Sequence, residues 1–225
     1  MLNKFLIVFI VLCSISHSGN KLALCAKGKL LFEENFESKE LPKNFRSGKG
    51  EWVMIDGKSI RGKQQEKDKH TAFRKIFLNH QDAIYQFDFK FEKDVYAKFL
   101  INYELVHLAS CNIKKSELSI IKLSETKKRK MMEEAAIKSG KTIEKGDWEK
   151  KNIILDKKPL SLEDNKWYTV TIELIGDLLS ATVGEVTVKG RHAGLKERKT
   201  NFGIQSAGLN GYTYFDNLRV WKAVK

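Results

Sequence analysis

Hydrophobic and polar residues alternate with period two along most of the chain, which is the pattern of strands with one face buried and the other wet. In Tyr85-Gln-Phe-Asp-Phe-Lys-Phe91 four aromatic residues share one side, while Gln86, Asp88 and Lys90 share the other. Tyr168, Val170, Ile172 and Leu174 repeat the pattern. Gly176-Asp177 then turns the chain into Leu178 to Val183, and Gly184-Glu185 turns it again into Val186 to Val188, an antiparallel meander. Further strands read at Lys29 to Phe36, Glu51 to Ile55, Phe73 to Phe77, Ala97 to Tyr103, Val106 to Ile113, Leu118 to Leu123, Phe202 to Ala207 and Tyr212 to Trp221. In the last of these the parity breaks: Phe215 belongs to one alternation and Leu218 and Val220 to the other. Keeping all three buried requires a bulge near Asp216-Asn217.

About a dozen short strands without βαβ alternation predict an all-β fold. The expected architecture is a two-sheet antiparallel sandwich of jelly-roll type, with a barrel as the lesser alternative. One helix is expected, from Glu125 to Ser139, capped by Ser124 and ended by Gly140. Its apolar stripe of Met131, Met132, Ala135, Ala136 and Ile137 is weak and its start, Lys127 to Lys130, is basic, so it reads as a surface insertion.

The first residues follow another logic. Lys4 precedes an unbroken apolar run from Phe5 to Leu12, and Ser14, Ser16 and Ser18 follow. This is the pattern of a secretory signal peptide over residues 1–26, cut between 18 and 26. Lipidation at Cys25 is the rival, with Leu24 standing where such sites prefer a small residue. The apolar run is shorter than the ~20 residues that span a bilayer, so no transmembrane segment is expected. A single domain over 27–225, exported and monomeric, is the resulting expectation.

Export changes the meaning of composition. Cys111 is the only cysteine of the three securely in the mature chain, so no internal disulfide framework can form. The whole chain carries +13, and setting aside residues 1–26, with two lysines and no acid, leaves +11. The lysines are scattered and no nucleic-acid-binding motif occurs, so no nucleic-acid partner is expected. The excess favours anionic surroundings such as an acidic polysaccharide.

Leu30-Leu-Phe-Glu-Glu-Asn-Phe36, Glu51-Trp52, Asp56-Gly57 and the closing Tyr212-Thr-Tyr-Phe-Asp-Asn-Leu-Arg-Val-Trp221 resemble the two ends of concanavalin A-like lectin/glucanase jelly rolls. Asp68-Lys-His70, Asp82 to Phe89, His107, Trp167-Tyr-Thr-Val170 and Asn201-Phe-Gly203 narrow the resemblance. It is to short exported bacterial proteins related to the 3-keto-disaccharide hydrolase domain, also described as similar to glycoside hydrolase family sixteen. The resemblance implies the fold, a glycan as partner, and a structural calcium ion at the two ends with Glu34 and Asp216 as ligands, against the alternative of Asp216 as a turn-stabilising hydrogen-bond acceptor. No other cofactor is implied.

The catalytic expectation is negative. A family-sixteen glucanase carries Glu-x-Asp-x-Glu or Glu-x-Asp-x-x-Glu on one strand, which places nucleophile and general acid ~5 Å apart. No segment here has that spacing, and Glu133-Glu134 and Glu163-Asp164 diverge. Metal, nucleophile-elbow and phosphate-loop motifs are also missing from the sequence. His107 and Cys111 would share a strand face yet stand ~13 Å apart, too far to pair, and Cys111 reads as a buried small residue.

The candidate saccharide site is therefore His70, Arg74 and His107 on the concave sheet, with Trp148 as a stacking ring and Trp52 as a core residue. Three functions stay open: a carbohydrate-binding module, a sugar hydrolase or lyase with an unconventional site, and a surface protein without a small ligand.

Overall fold

The computed structural model describes residues 22–38, 40–46, 48–55, 57–104, 106–141 and 149–225. Alternation builds two antiparallel sheets. The eight-stranded sheet contains β1 (Ala26–Glu34), β3 (Glu51–Ile55), β4 (Ser59–Lys63), β6 (Ala83–Phe91), β11 (Tyr168–Ile175), β12 (Leu178–Val183), β13 (Val186–Arg191) and β15 (Thr213–Val224). The seven-stranded sheet contains β2 (Phe45–Arg46), β5 (Ala72–His80), β7 (Tyr96–Tyr103), β8 (Val106–Lys114), β9 (Glu117–Lys122), β10 (Ile153–Pro159) and β14 (Lys199–Ala207). The jelly-roll sandwich read from the sequence is thus present. Strands β2, β4 and β10 escaped that reading because they are short or interrupted by Gly62 and paired lysines, so their period is blurred.

The inward faces meet in an aromatic core. Phe87, Phe89, Ile172 and Leu174 are at most 1% exposed, as their alternation required. Phe99 stacks between Phe87 and Phe202, with ring centres 5.6 and 5.5 Å away. Each such ring contributes about 1.5–3 kcal/mol through burial. Cys111 is buried in the same cluster, and burial pushes its thiol up.

The first and last strands pair, β1 against β15. Within β15 the register slips between Asp216 and Arg219 and Asn217 takes a left-handed φ of 49°, so Phe215, Leu218 and Val220 are all buried. The bulge that the broken parity demanded is there. Ahead of β1, Leu22, Leu24 and Cys25 pack on Ile84, Ile175 and Ala223 of the eight-stranded sheet's outer face.

Helix α1 (Thr126–Lys138) buries none of its residues, as a surface insertion should, and Gly140 leaves it with φ of 64°. Its start differs from expectation. Ser124 does not cap it; Glu125 stands at the cap without a side-chain bond, and the Ser124 N–H is held by Asn152 Oδ1 at 2.9 Å. Among the described residues no helix is long and apolar enough to cross a membrane.

Candidate functional site

The outer face of the seven-stranded sheet is polar because its strands expose the residues that alternate with the core. Register places these side chains in rungs across the sheet. Lys98 of β7 lies between Asn112 of β8 and Gln205 of β14, and Asn102 lies between His107 and Asn201, which in turn faces Phe77 of β5.

His107 reaches this face through a bulge. Ile101 pairs with Ala109 and Asn102 with His107, so Leu108 is an extra residue that reverses the parity. Contrary to simple alternation, His107 and Cys111 therefore point to opposite faces. The ring is then fixed by a chain of amides. The Glu104 carbonyl can only accept, so Asn201 Nδ2 donates to it at 2.9 Å and Asn201 Oδ1 accepts from Asn102 Nδ2 at 2.8 Å. Asn102 Oδ1 is left to accept from His107 Nδ1–H at 2.7 Å. The remaining nitrogen, Nε2, is an acceptor.

His107 helps line an open trough of about 420 Å³, together with His70, Lys98, Gln205, Tyr96 and, from the helix, Lys127. Its ring keeps an exposed edge. Desolvation on the trough floor, followed by the fields of Lys127, Lys75, Lys98 and His70, lowers its pKa to about 4, so it is neutral at physiological pH. Desolvation also lowers Lys98 and Lys75, the latter further because Lys127 is near. None of the described residues lining the trough is acidic. Cations gathered without a counter-charge repel one another, and an anion would relieve that repulsion.

Phe77 lies three strand spacings from His107 along the same rung, ~14 Å away. It is 48% exposed, with the Arg46 guanidinium 4.9 Å and the Lys75 ammonium 5.8 Å from its ring centre.

Sequence reasoning identified part of this site. His70 and His107 do come together. Arg74 does not join them: it pairs with core-facing Ile204, on the inner side of β5, and stands 5.8 Å from the ring centre of Trp52. Trp52 itself packs against the core, as expected. Trp148 lies outside the described residues. Lys75, Lys98, Gln205 and Phe77 were missed, and Lys127 stood out only within the basic start of the helix; the signal available was that Lys98 and Gln205 occupy the polar phase of otherwise apolar strands.

Each of the two expected calcium ligands serves a local backbone N–H. Glu34 Oε1 accepts the Phe36 N–H at 2.8 Å and Asp216 Oδ1 the Asn217 N–H at 2.7 Å. Among the described residues no group of three or more His, Cys, Asp or Glu is placed to hold a metal ion. Desolvation, with Asp88 and Glu37 nearby and despite the Asn217 N–H, raises Asp216 to about 6, a carboxyl without a cationic partner strong enough to offset its burial.

No protein-family model and no curated protein sequence matches the chain. Solved structures do. The carbohydrate binding module CBM66 from Bacillus subtilis superposes with a TM-score of 0.56 at 12% identity, over 80% of this chain and 96% of that one. The Bacillus licheniformis beta-glucanase gives 0.55 at 10%, over 89% and 100%. An endo-β-galactosidase from Clostridium perfringens that releases GlcNAcα1-4Gal gives 0.58 at 11%, over 87% and 63%. The chain has the jelly-roll β-sandwich fold of these carbohydrate-binding and carbohydrate-cleaving proteins; at such identities the likeness is one of fold alone.

Proposed function

We propose that this protein is an exported saccharide-binding module that holds an acidic glycan on the outer face of its seven-stranded sheet. The observation that carries the reading is the acid-free trough, where Lys98 and Lys127 supply donors and neutral His107 supplies an acceptor for a sugar hydroxyl. Phe77, along the same rung, offers a ring face to a further sugar unit. A hydrolase of the 3-keto-disaccharide type is the alternative. It is disfavoured at this trough: none of the described lining residues can act as a carboxylic acid, and a histidine at about 4 is a weak general base at neutral pH. A surface protein without ligand would leave desolvated lysines uncompensated.

Titration of uronate-containing and sulfated polysaccharides against the mature protein at several salt concentrations tests the reading. Attraction between charges is screened over ~8 Å at physiological salt, whereas hydrogen bonds in contact persist. His107→Ala is expected to weaken binding at every salt concentration. Neutralising Lys127 to Lys130 is expected to flatten the salt dependence, with a smaller loss persisting at high salt from the missing Lys127 donor. Binding of the whole panel by the His107→Ala protein as well as by the parent would refute the site.

A further inference from the structure

The opposite side of the sandwich holds a cavity that the acidic-glycan site does not use. On the outer face of the eight-stranded sheet, Lys90 of β6 pairs with Tyr214 of β15, and Asp88 pairs with Asp216 on the next outward rung. Trp167, just before β11, leans its ring against Tyr214 in an edge contact with centres 6.5 Å apart, and remains 43% exposed. Lys90, Tyr214, Asp216 and Trp167, with Glu37 and Lys58, enclose an open space of about 550 Å³, within the range of small-ligand sites.

Its chemistry differs from that of the trough. Lys58 and Lys90 are matched by Glu37 and Asp216, so the described lining is close to neutral. Lys90 Nζ sits 4.3 Å from the Tyr214 ring centre and 5.2 Å from that of Trp167, which places an ammonium donor beside two ring faces. The Asp216 carboxylate accepts from the Asn217 N–H, leaving acceptor capacity on its oxygens. An exposed indole flanked by directed donors and acceptors of both signs suits a polyhydroxylated ring that stacks its C–H face and bridges its hydroxyls between carboxylate and ammonium. A charged glycan would meet a like charge on one wall.

We infer that this cavity is a second saccharide site, selective for neutral sugars, on the face opposite the acidic-glycan site. Two sites of different charge preference on opposite sheets would let one domain link an acidic and a neutral polymer.

Calorimetric titration of the mature protein with neutral hexasaccharides from cellulose, xylan and starch tests the inference, with an acidic polysaccharide titrated in parallel. At least one neutral hexasaccharide is expected to bind, and Trp167→Ala is expected to lower that affinity about tenfold while acidic-glycan binding is unchanged. His107→Ala should show the reverse pattern. If Trp167→Ala melts at a lower temperature than the parent, Glu37→Ala, an exposed substitution in the same lining, provides the independent readout and should also weaken neutral binding. The inference is overturned if no neutral hexasaccharide binds, or if both variants bind it as the parent does. Loss of acidic-glycan binding alone would count against the trough and leave this cavity standing.

Discussion

Asn102 Oδ1 accepts the His107 Nδ1–H at 2.7 Å, and this one bond decides which ring nitrogen faces a ligand. Replacing Asn102 with Asp would set a carboxylate against a ring whose pKa is now about 4 because of desolvation and surrounding cations. An opposite charge in contact favours the imidazolium. The Asn102→Asp protein is expected to show the His107 resonance titrating at least one unit higher by NMR. An unchanged midpoint would mean that the amide chain does not hold the ring.

The two faces of β5 make opposite predictions for binding. Arg74 points inward toward Trp52, so Arg74→Ala is expected to lower stability while leaving acidic-glycan affinity intact. Phe77 faces outward, so Phe77→Ala is expected to cost about 1 kcal/mol of binding, roughly fivefold, with the melting temperature nearly unchanged. Isothermal titration beside thermal melts separates the two.

Acid should destabilise the fold through His80. The side chain is buried; its Nδ1–H donates to the Leu78 carbonyl at 2.8 Å, and its Nε2 accepts from the buried Tyr85 hydroxyl. Desolvation lowers its pKa to about 4, the Leu78 bond opposes this, and Lys199 adds to it. The folded protein therefore binds this proton less tightly than the unfolded chain, whose histidine titrates near 6.5. Through His80, stability is expected to fall by up to about 3 kcal/mol between pH 6.5 and 4, with His107 adding to the loss and Asp216 opposing it. Denaturant melts across that window should show the loss, and His80→Gln should reduce the slope.

Glu173 ties the segment before β1 to the sheet. It is fully buried, and its carboxylate accepts the N–H groups of Ala23, Leu24 and Cys25 at 2.7, 2.8 and 3.2 Å. Glu173→Gln turns one acceptor into a donor facing donors, an expected loss of about 1–3 kcal/mol. A chain starting at Ala26 should melt lower as well, because it strands the carboxylate and uncovers Ile84 and Ile175. Equal melting of the two chain lengths would show the contact to be energetically idle.

Melting curves in calcium and in chelator are expected to superimpose. Glu34 and Asp216 each serve a local backbone N–H, and among the described residues no group of three or more His, Cys, Asp or Glu is placed to hold a metal ion. A rise in melting temperature with calcium would reinstate the metal that the fold resemblance implies.

Alternation is a local property of an extended chain, so the sequence alone established every strand but β2, β4 and β10, the inward set Phe87, Phe89, Ile172 and Leu174, and the bulge before Leu218, where two apolar phases collide. It also brought His70 and His107 forward as candidates. It had no means to choose the face of β5, because Phe73 and Phe77 make one side apolar while Ile76 and Leu78 do the same for the other. Burial settles that choice only when β14 pairs alongside and Ile204 draws Arg74 inward. The turn of His107 away from Cys111 likewise depends on one extra residue against β7, which leaves no mark in composition. Lys75, Lys98 and Lys127 come from two strands and a helix, far apart in sequence. Their shared field, and with it the neutral His107, exists only once non-local pairing has set them around one trough.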